Sequence, residues 1–293
     1  MKISKDEHIS GVIRVTSDKT GPHVVLFGGV HGDEVSGVHA VEKLLFDFFG
    51  GTRTLGRGSL TLARANEHAL AAERRYVKSN MNRLFRKDYP PEVDKLSYEF
   101  RRAQELKKVL EDCDYFLDLH SAPLAQEPFL VTEQNGLEFY AKLGIRQIMI
   151  GWNKFAGGAI GGDAENYARA HGANSATLES GTHFDKRSND VAYRTTVLLL
   201  AFLEMIASAE PQEARESADI VDMYEVVTKE FSDFEYTGQV TNFKFFGEGE
   251  PFAFQNGKPL IVREDTYLLI PMNPKETKIG EELCYLGRKV TGR

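Results

Sequence analysis

The chain has 293 residues, 42% of them apolar and 27% charged, which is enough for a sizeable core in one large domain or two unequal ones. With 36 basic and 43 acidic residues the formal charge is −7, and no long basic stretch gives a nucleic-acid partner electrostatic support. Cys113 and Cys284 form neither a CxxC nor a disulfide framework and read as reduced thiols of a cytoplasmic protein.

The opening residues, MKISKDEHISG, lack the apolar segment of a secretory signal. Residues 11–16 (GVIRVT) and 23–29 (HVVLFGG) read as strands joined by a turn at 18–22. The run VVLF is apolar on both faces, as a central strand of a covered sheet should be. GGVHGDEVSG follows at 28–37, and residues 35–49 then turn helical, with Val38, Val41, Leu44, Leu45 and Phe48 on one stripe. A strand is expected at 59–65, an amphipathic helix at 98–111, and a short strand at 115–119 ending on His120. Further strands are expected at 128–132, 146–151 and 175–179, then a helix from about 190 to 206. The apolar part of that last helix, residues 197–206, is broken by Glu204 and too short to span a membrane.

Strands alternating with helices predict an α/β domain with a mostly parallel or mixed central sheet flanked by helices. The polar, acidic stretch near 208–217 reads as a linker, placing one domain at 1–207 and a small β-rich C-terminal domain at 218–293. Exposed strand edges in that tail make it the candidate subunit contact if the chain is a homo-oligomer.

Ligands of such sheets sit beyond the carboxyl ends of the strands. His31, His120 and Glu179 are each expected at or just past one. His31 and Glu34, three apart between glycines that let the backbone turn, can both reach one ion. His120, after the strand containing Asp118, can supply a third ligand from distant sequence, with Asp118 orienting its ring. Asp33 competes with Glu34, but the spacing of three favours Glu34. Each residue has a plainer reading: a histidine satisfied at a strand end, a glutamate that caps or pairs. A hydrolytic zinc site needs three protein ligands, an open position for water and a base. Glu179, directly after a buried strand, is the candidate base. Arg74, Arg75, Asn82 and Arg83 form an arginine-rich stretch suited to a carboxylate or oxyanion, although such stretches are common on surfaces.

Together, GGVHGDEVSG, RRY followed by NMNRLF, SYEFRRAQEL, DLHSA and LESG resemble, in order across about residues 24–182, the succinylglutamate desuccinylase/aspartoacylase family of zinc hydrolases, whose fold is like that of metallocarboxypeptidases. The resemblance implies one Zn2+ per chain on His31, Glu34 and His120. It implies Glu179 as general acid/base and Arg75 as the group polarising the scissile carbonyl. Asn82 and Arg83 would hold a substrate carboxylate, and Arg169, ten residues before Glu179, is the match to a family arginine that contacts substrate. The implied reaction is attack of a metal-activated water on the amide of a small N-acyl amino acid. Two departures argue against N-acetylaspartate: Asn80 stands where aspartoacylases have aspartate, and the tail stretch NPKETK offers no tyrosine. The alternatives are a metallocarboxypeptidase, which the small tail domain disfavours by roofing the site, and a non-catalytic binding protein, which would not need the full constellation.

Overall fold

The computed structural model describes residues 1–122, 127–155, 162–207 and 218–290. The linker expected at 208–217 lies outside the described residues. In chain order the strands are β1 (Lys2–Lys5), β2 (Val12–Thr16), β3 (His23–Gly28), β4 (Ser59–Arg64), β5 (Tyr115–Ala122), β6 (Phe129–Thr132), β7 (Gln147–Ile150) and β8 (Asn174–Thr182). The C-terminal region adds β9 (Asp219–Thr228), β10 (Glu235–Tyr236), β11 (Lys244–Phe246), β12 (Pro251–Gln255), β13 (Lys258–Ile261), β14 (Thr266–Leu269) and β15 (Glu282–Lys289). The helices are α1 (Val35–Phe49), α2 (Glu67–Ala71), α3 (Tyr98–Leu110), α4 (Gln134–Tyr140), α5 (Ala164–Ala170) and α6 (Lys186–Phe202).

Among the described residues, twelve strands form one sheet in the order β1-β2-β4-β3-β5-β8-β6-β7-β9-β15-β14-β11, and β10-β12-β13 form a second. Pairing is parallel from β4 through β3 and β5 to β8. It is parallel again from β6 through β7 to β9, and antiparallel where β8 meets β6. Both flanks are antiparallel. The sheet is therefore mixed.

The doubly apolar β3 explains the layering. Successive side chains of a strand point to opposite faces, and both faces here are covered. Val24 and Leu26 pack with Val41, Leu44 and Phe48 of α1 and with Leu199 and Leu200 of α6. Val25 and Phe27 pack with Leu106 and Leu110 of α3 and Tyr167 of α5. Each such buried side chain stabilises the fold by roughly 1.5–3 kcal/mol.

Helix α1 occupies the span its periodicity predicts. Helix α6 begins four residues early, because Asp185 caps it by accepting from the Arg187 amide, and it ends at Phe202, just before Glu204 takes φ +55°. Strands β5 and β8 each run further than expected, so His120 and Glu179 lie inside their strands rather than past them. The tail is β-rich as expected, and its first strand joins the central sheet by pairing Ile148 with Ile220. Cys113 and Cys284 are free and buried, and burial pushes the Cys113 thiol up to about 12. No described helix is long and apolar enough to cross a membrane.

Candidate active site

Residues 28–37 carry the chain from β3 into α1. Gly29 makes the turn at φ +74°. Gly37 allows a close approach: a Cβ there would stand 2.5 Å from the carbonyl oxygen of Leu119. The start of α1 is thereby pressed against β5 just before His120. Glu34 occupies the N-cap position of α1 but makes no capping bond with its side chain. The side chain turns inward instead, where the partial positive charge of the helix end favours a carboxylate.

That inward turn gathers the predicted ligands. His31, Glu34 and His120 are 3%, 2% and 2% exposed. Donor atoms of all three lie within 4.8 Å of one another. Glu34 Oε1 is 2.7 Å from His31 Nδ1, and its Oε2 is 2.7 Å from His120 Nδ1. The Ser121 amide also donates to Oε2, at 3.2 Å. On the outer side of each ring, His31 Nε2 meets Asn80 Oδ1 at 3.1 Å. His120 Nε2 is 3.0 Å from Asp118 Oδ2, an ion-pair contact without hydrogen-bond alignment. Glu34 also pairs with Arg75, whose Nη1 is 3.1 Å from Oε1.

Burial pushes His31 down to about 4 despite the opposing pull of Glu34. Burial works against protonation of His120 as well, yet Asp118 and Glu34 together hold it well above the ordinary range. Glu34 lies well below the usual carboxylate range, because His31 and His120 outweigh its burial.

This donor set fits a metal ion. Asn80 Oδ1 also accepts from the backbone N–H of Asn82 at 3.0 Å, so it is an oxygen, and His31 Nε2–H donates to it. Nδ1 of His31 is then the nitrogen turned toward Glu34, 2.7 Å from Oε1. Two imidazoles and a carboxylate, all buried and with donor atoms within 4.8 Å of one another, suit a divalent cation.

Glu179 adjoins this cluster: the β5–β8 register pairs it with His120. It is partly exposed, but its Oε2 is shielded and has no hydrogen-bond partner among the described residues. Burial, and next the charge of Glu34, push its carboxyl up to about 7. Ser180 Oγ bridges Ser36 of α1 at 2.8 Å and the His120 carbonyl at 2.8 Å, tying both neighbouring elements to β8.

Asn82 and Arg83 sit on a 3-10 turn, Met81–Arg83, capped by Asn80. Asn82 Oδ1 accepts from the Ala164 amide, and Arg83 Nη1 donates to the Asn82 carbonyl. Arg169 is not brought to the cluster. It hydrogen-bonds Asn166 and lies 4.0 Å from Glu165, both on its own helix. It precedes β8, whose first residue, Asn174, is five residues or about 16 Å from Glu179 along the strand.

A second grouping was not anticipated. Asp33, Glu34 and His183 also have donor atoms within 4.8 Å of one another, with Glu34 shared between the two sets. His183 hydrogen-bonds Ser121 at 2.7 Å. The sequence offered a hint, since His183 lies four residues after Glu179. A separate cleft of about 620 Å³ near α6, lined by Leu143, Arg146, Val191 and Asp219 among others, contains none of these residues.

A sequence model of the succinylglutamate desuccinylase/aspartoacylase catalytic domain matches residues 20–206. The chain belongs to the succinylglutamate desuccinylase/aspartoacylase family. Among relatives, the succinylglutamate desuccinylase of Vibrio vulnificus (strain YJ016) is 24% identical, over 98% of this chain and 87% of its own length. That of Erwinia tasmaniensis is 28% identical, over 90% and 84%. The crystal structure of succinylglutamate desuccinylase from Vibrio cholerae superposes with TM-score 0.78 at 22% identity, covering 100% of this chain and 91% of the other. The product-bound ectoine utilization protein EutE (DoeB) from Ruegeria pomeroyi gives 0.71 at 18% identity, over 94% and 88%. At these identities the structural likeness establishes the family fold, including the β-rich C-terminal region.

Proposed function

We propose that the chain is a zinc-dependent hydrolase that cleaves the amide bond of a small N-acyl amino acid, with the metal held by His31, Glu34 and His120. The buried convergence of His31, Glu34 and His120, with donor atoms within 4.8 Å of one another, carries this reading. Two histidines and a carboxylate are a ligand set that suits catalytic zinc. When bound, zinc supplies a Lewis acid that polarises a carbonyl and acidifies water.

The remaining roles belong to the protein's own groups. Glu179, pushed up to about 7, is matched to neutral pH: ionised, it takes a proton from the attacking water, and protonated, it returns that proton to the leaving amine. Arg75, beside Glu34 and with its side chain 42% exposed, is the group assigned to stabilise negative charge developing on the scissile oxygen. The Asn82 amide nitrogen and the outer nitrogens of Arg83 hold the substrate carboxylate. Arg169, whose contacts are with Asn166 and Glu165 of its own helix, is given no role in this scheme. The relatives' name, succinylglutamate desuccinylase, supports an acyl amino acid as the substrate class.

A hydrolysis screen tests the reading. The zinc-loaded protein is offered N-succinyl, N-acetyl and longer N-acyl amino acids alongside short peptides, with release of amine measured. Turnover of an N-acyl amino acid that exceeds turnover of every peptide is expected. Preference for a peptide C-terminus would replace the reading with a carboxypeptidase.

A further inference from the structure

The two histidines that face Glu34 have unlike partners on their outer nitrogens. His120 Nε2 faces a buried carboxylate, Asp118, 3.0 Å away. His31 Nε2 faces a neutral amide oxygen, Asn80 Oδ1, at 3.1 Å. We propose that Asn80 is a positioning residue for His31 that fixes which nitrogen faces the metal and, being neutral, keeps the metal held less tightly than a carboxylate there would. The inference rests on the assignment of His31, Glu34 and His120 as ligands.

Asn80 Oδ1 accepts two N–H groups at once, from Asn82 and from His31. The first is a backbone donor, so the orientation of the Asn80 side chain is fixed by the 3-10 turn it caps. The second then leaves Nδ1 of His31 as the lone-pair nitrogen. A single oxygen thus links the ring of a ligand to the turn that carries Asn82 and Arg83, and movement of that turn is felt at His31.

The charge on the outer partner sets how basic an imidazole ligand is. A carboxylate stabilises positive charge on the ring and strengthens its bond to a metal, whereas an amide oxygen does so less. The structure therefore pairs one strongly supported histidine with one weakly supported one. A less tightly held zinc is the more electron-poor one, which favours Lewis acidity over retention.

Competition for zinc against a chromophoric chelator separates this from a merely structural role. Asn80→Asp retains an N-cap acceptor for the turn and should hold zinc about tenfold tighter than wild type, whereas Asn80→Ala should hold it about tenfold more weakly. A gain of affinity cannot arise from damage to the fold. Unchanged or weaker binding by Asn80→Asp, with a thermal melt of the metal-free protein like that of wild type, overturns the inference. If Asn80→Asp fails to fold, Asn80→Ala decides: binding equal to wild type overturns the inference and tenfold loss supports it. A wild-type chain that takes up no zinc at all sinks the ligand assignment itself, a result distinct from either.

Discussion

Replacing Glu179 by glutamine should stabilise the metal-free protein while abolishing turnover. Burial and the neighbouring Glu34 charge raise the Glu179 carboxyl from an ordinary 4.5 to about 7. The sign follows from proton linkage. Between these values the folded state binds more protons than the unfolded state, so stability falls as pH rises through this window. Each unit corresponds to about 1.4 kcal/mol, so above pH 7 the ionised carboxylate costs about 3 kcal/mol. Glutamine has nearly the same shape and no charge. The variant should therefore match wild type near pH 4 and exceed it by up to about 3 kcal/mol at pH 8, roughly 5 °C in melting temperature for a chain of this size. Urea denaturation of both proteins in chelator at the two pH values measures the difference. Turnover of the zinc-loaded variant should fall by about 10²–10⁴-fold, the usual worth of a general base. A stability difference independent of pH, or near-normal activity, would refute both the raised carboxyl and its role.

Other consequences follow from the same geometry. With zinc bound, the added positive charge should draw Glu179 below 7, so kcat/KM should rise with pH along an acid limb whose midpoint lies between about 4.5 and 7; loss of that limb in an otherwise active enzyme would exclude Glu179 as the base. Gly37→Ala should destabilise the fold by about 1–3 kcal/mol, because the Leu119 carbonyl stands 2.5 Å from the new Cβ and backbone yields little. Helix propensity alone predicts the opposite sign, and a thermal melt distinguishes the two. Arg83→Ala should raise KM by roughly ten- to hundredfold with kcat little changed, as expected for loss of a charge-assisted hydrogen bond to the substrate carboxylate; unchanged KM would remove Arg83 from the binding site.

Local signals carried well into the structure, and most long-range contacts were not legible. The stripe Val38–Val41–Leu44–Phe48 fixed α1, and the doubly apolar VVLF fixed a central strand, because both patterns are written in neighbouring residues. The clustering of His31, Glu34 and His120 was legible because a histidine and a carboxylate stood together beyond one strand and a second histidine closed another. The contact of Asn80 with His31 spans 49 residues, and a neutral asparagine in a polar loop carries no mark of its partner. Arg169, on α5 before β8, has its side-chain contacts with Asn166 and Glu165 of its own helix, a local pairing that its distance in sequence from Glu179 does not reveal. The tail was read as β-rich from its short apolar runs. That β9 would extend the central sheet was not legible, since an unpaired strand edge gives no sequence signal for its neighbour.

Zinc content after saturation and dialysis, measured by elemental analysis on wild type, Glu34→Gln and Glu179→Gln, decides whether His31, Glu34 and His120 hold the metal. One zinc per chain is expected in wild type and in Glu179→Gln, with less than a tenth of that in Glu34→Gln. Glu34 also belongs to the grouping with Asp33 and His183, so His120→Ala is measured alongside and should lose zinc as well. Retention of a full equivalent by His120→Ala, or no zinc in folded wild type, would contradict the account.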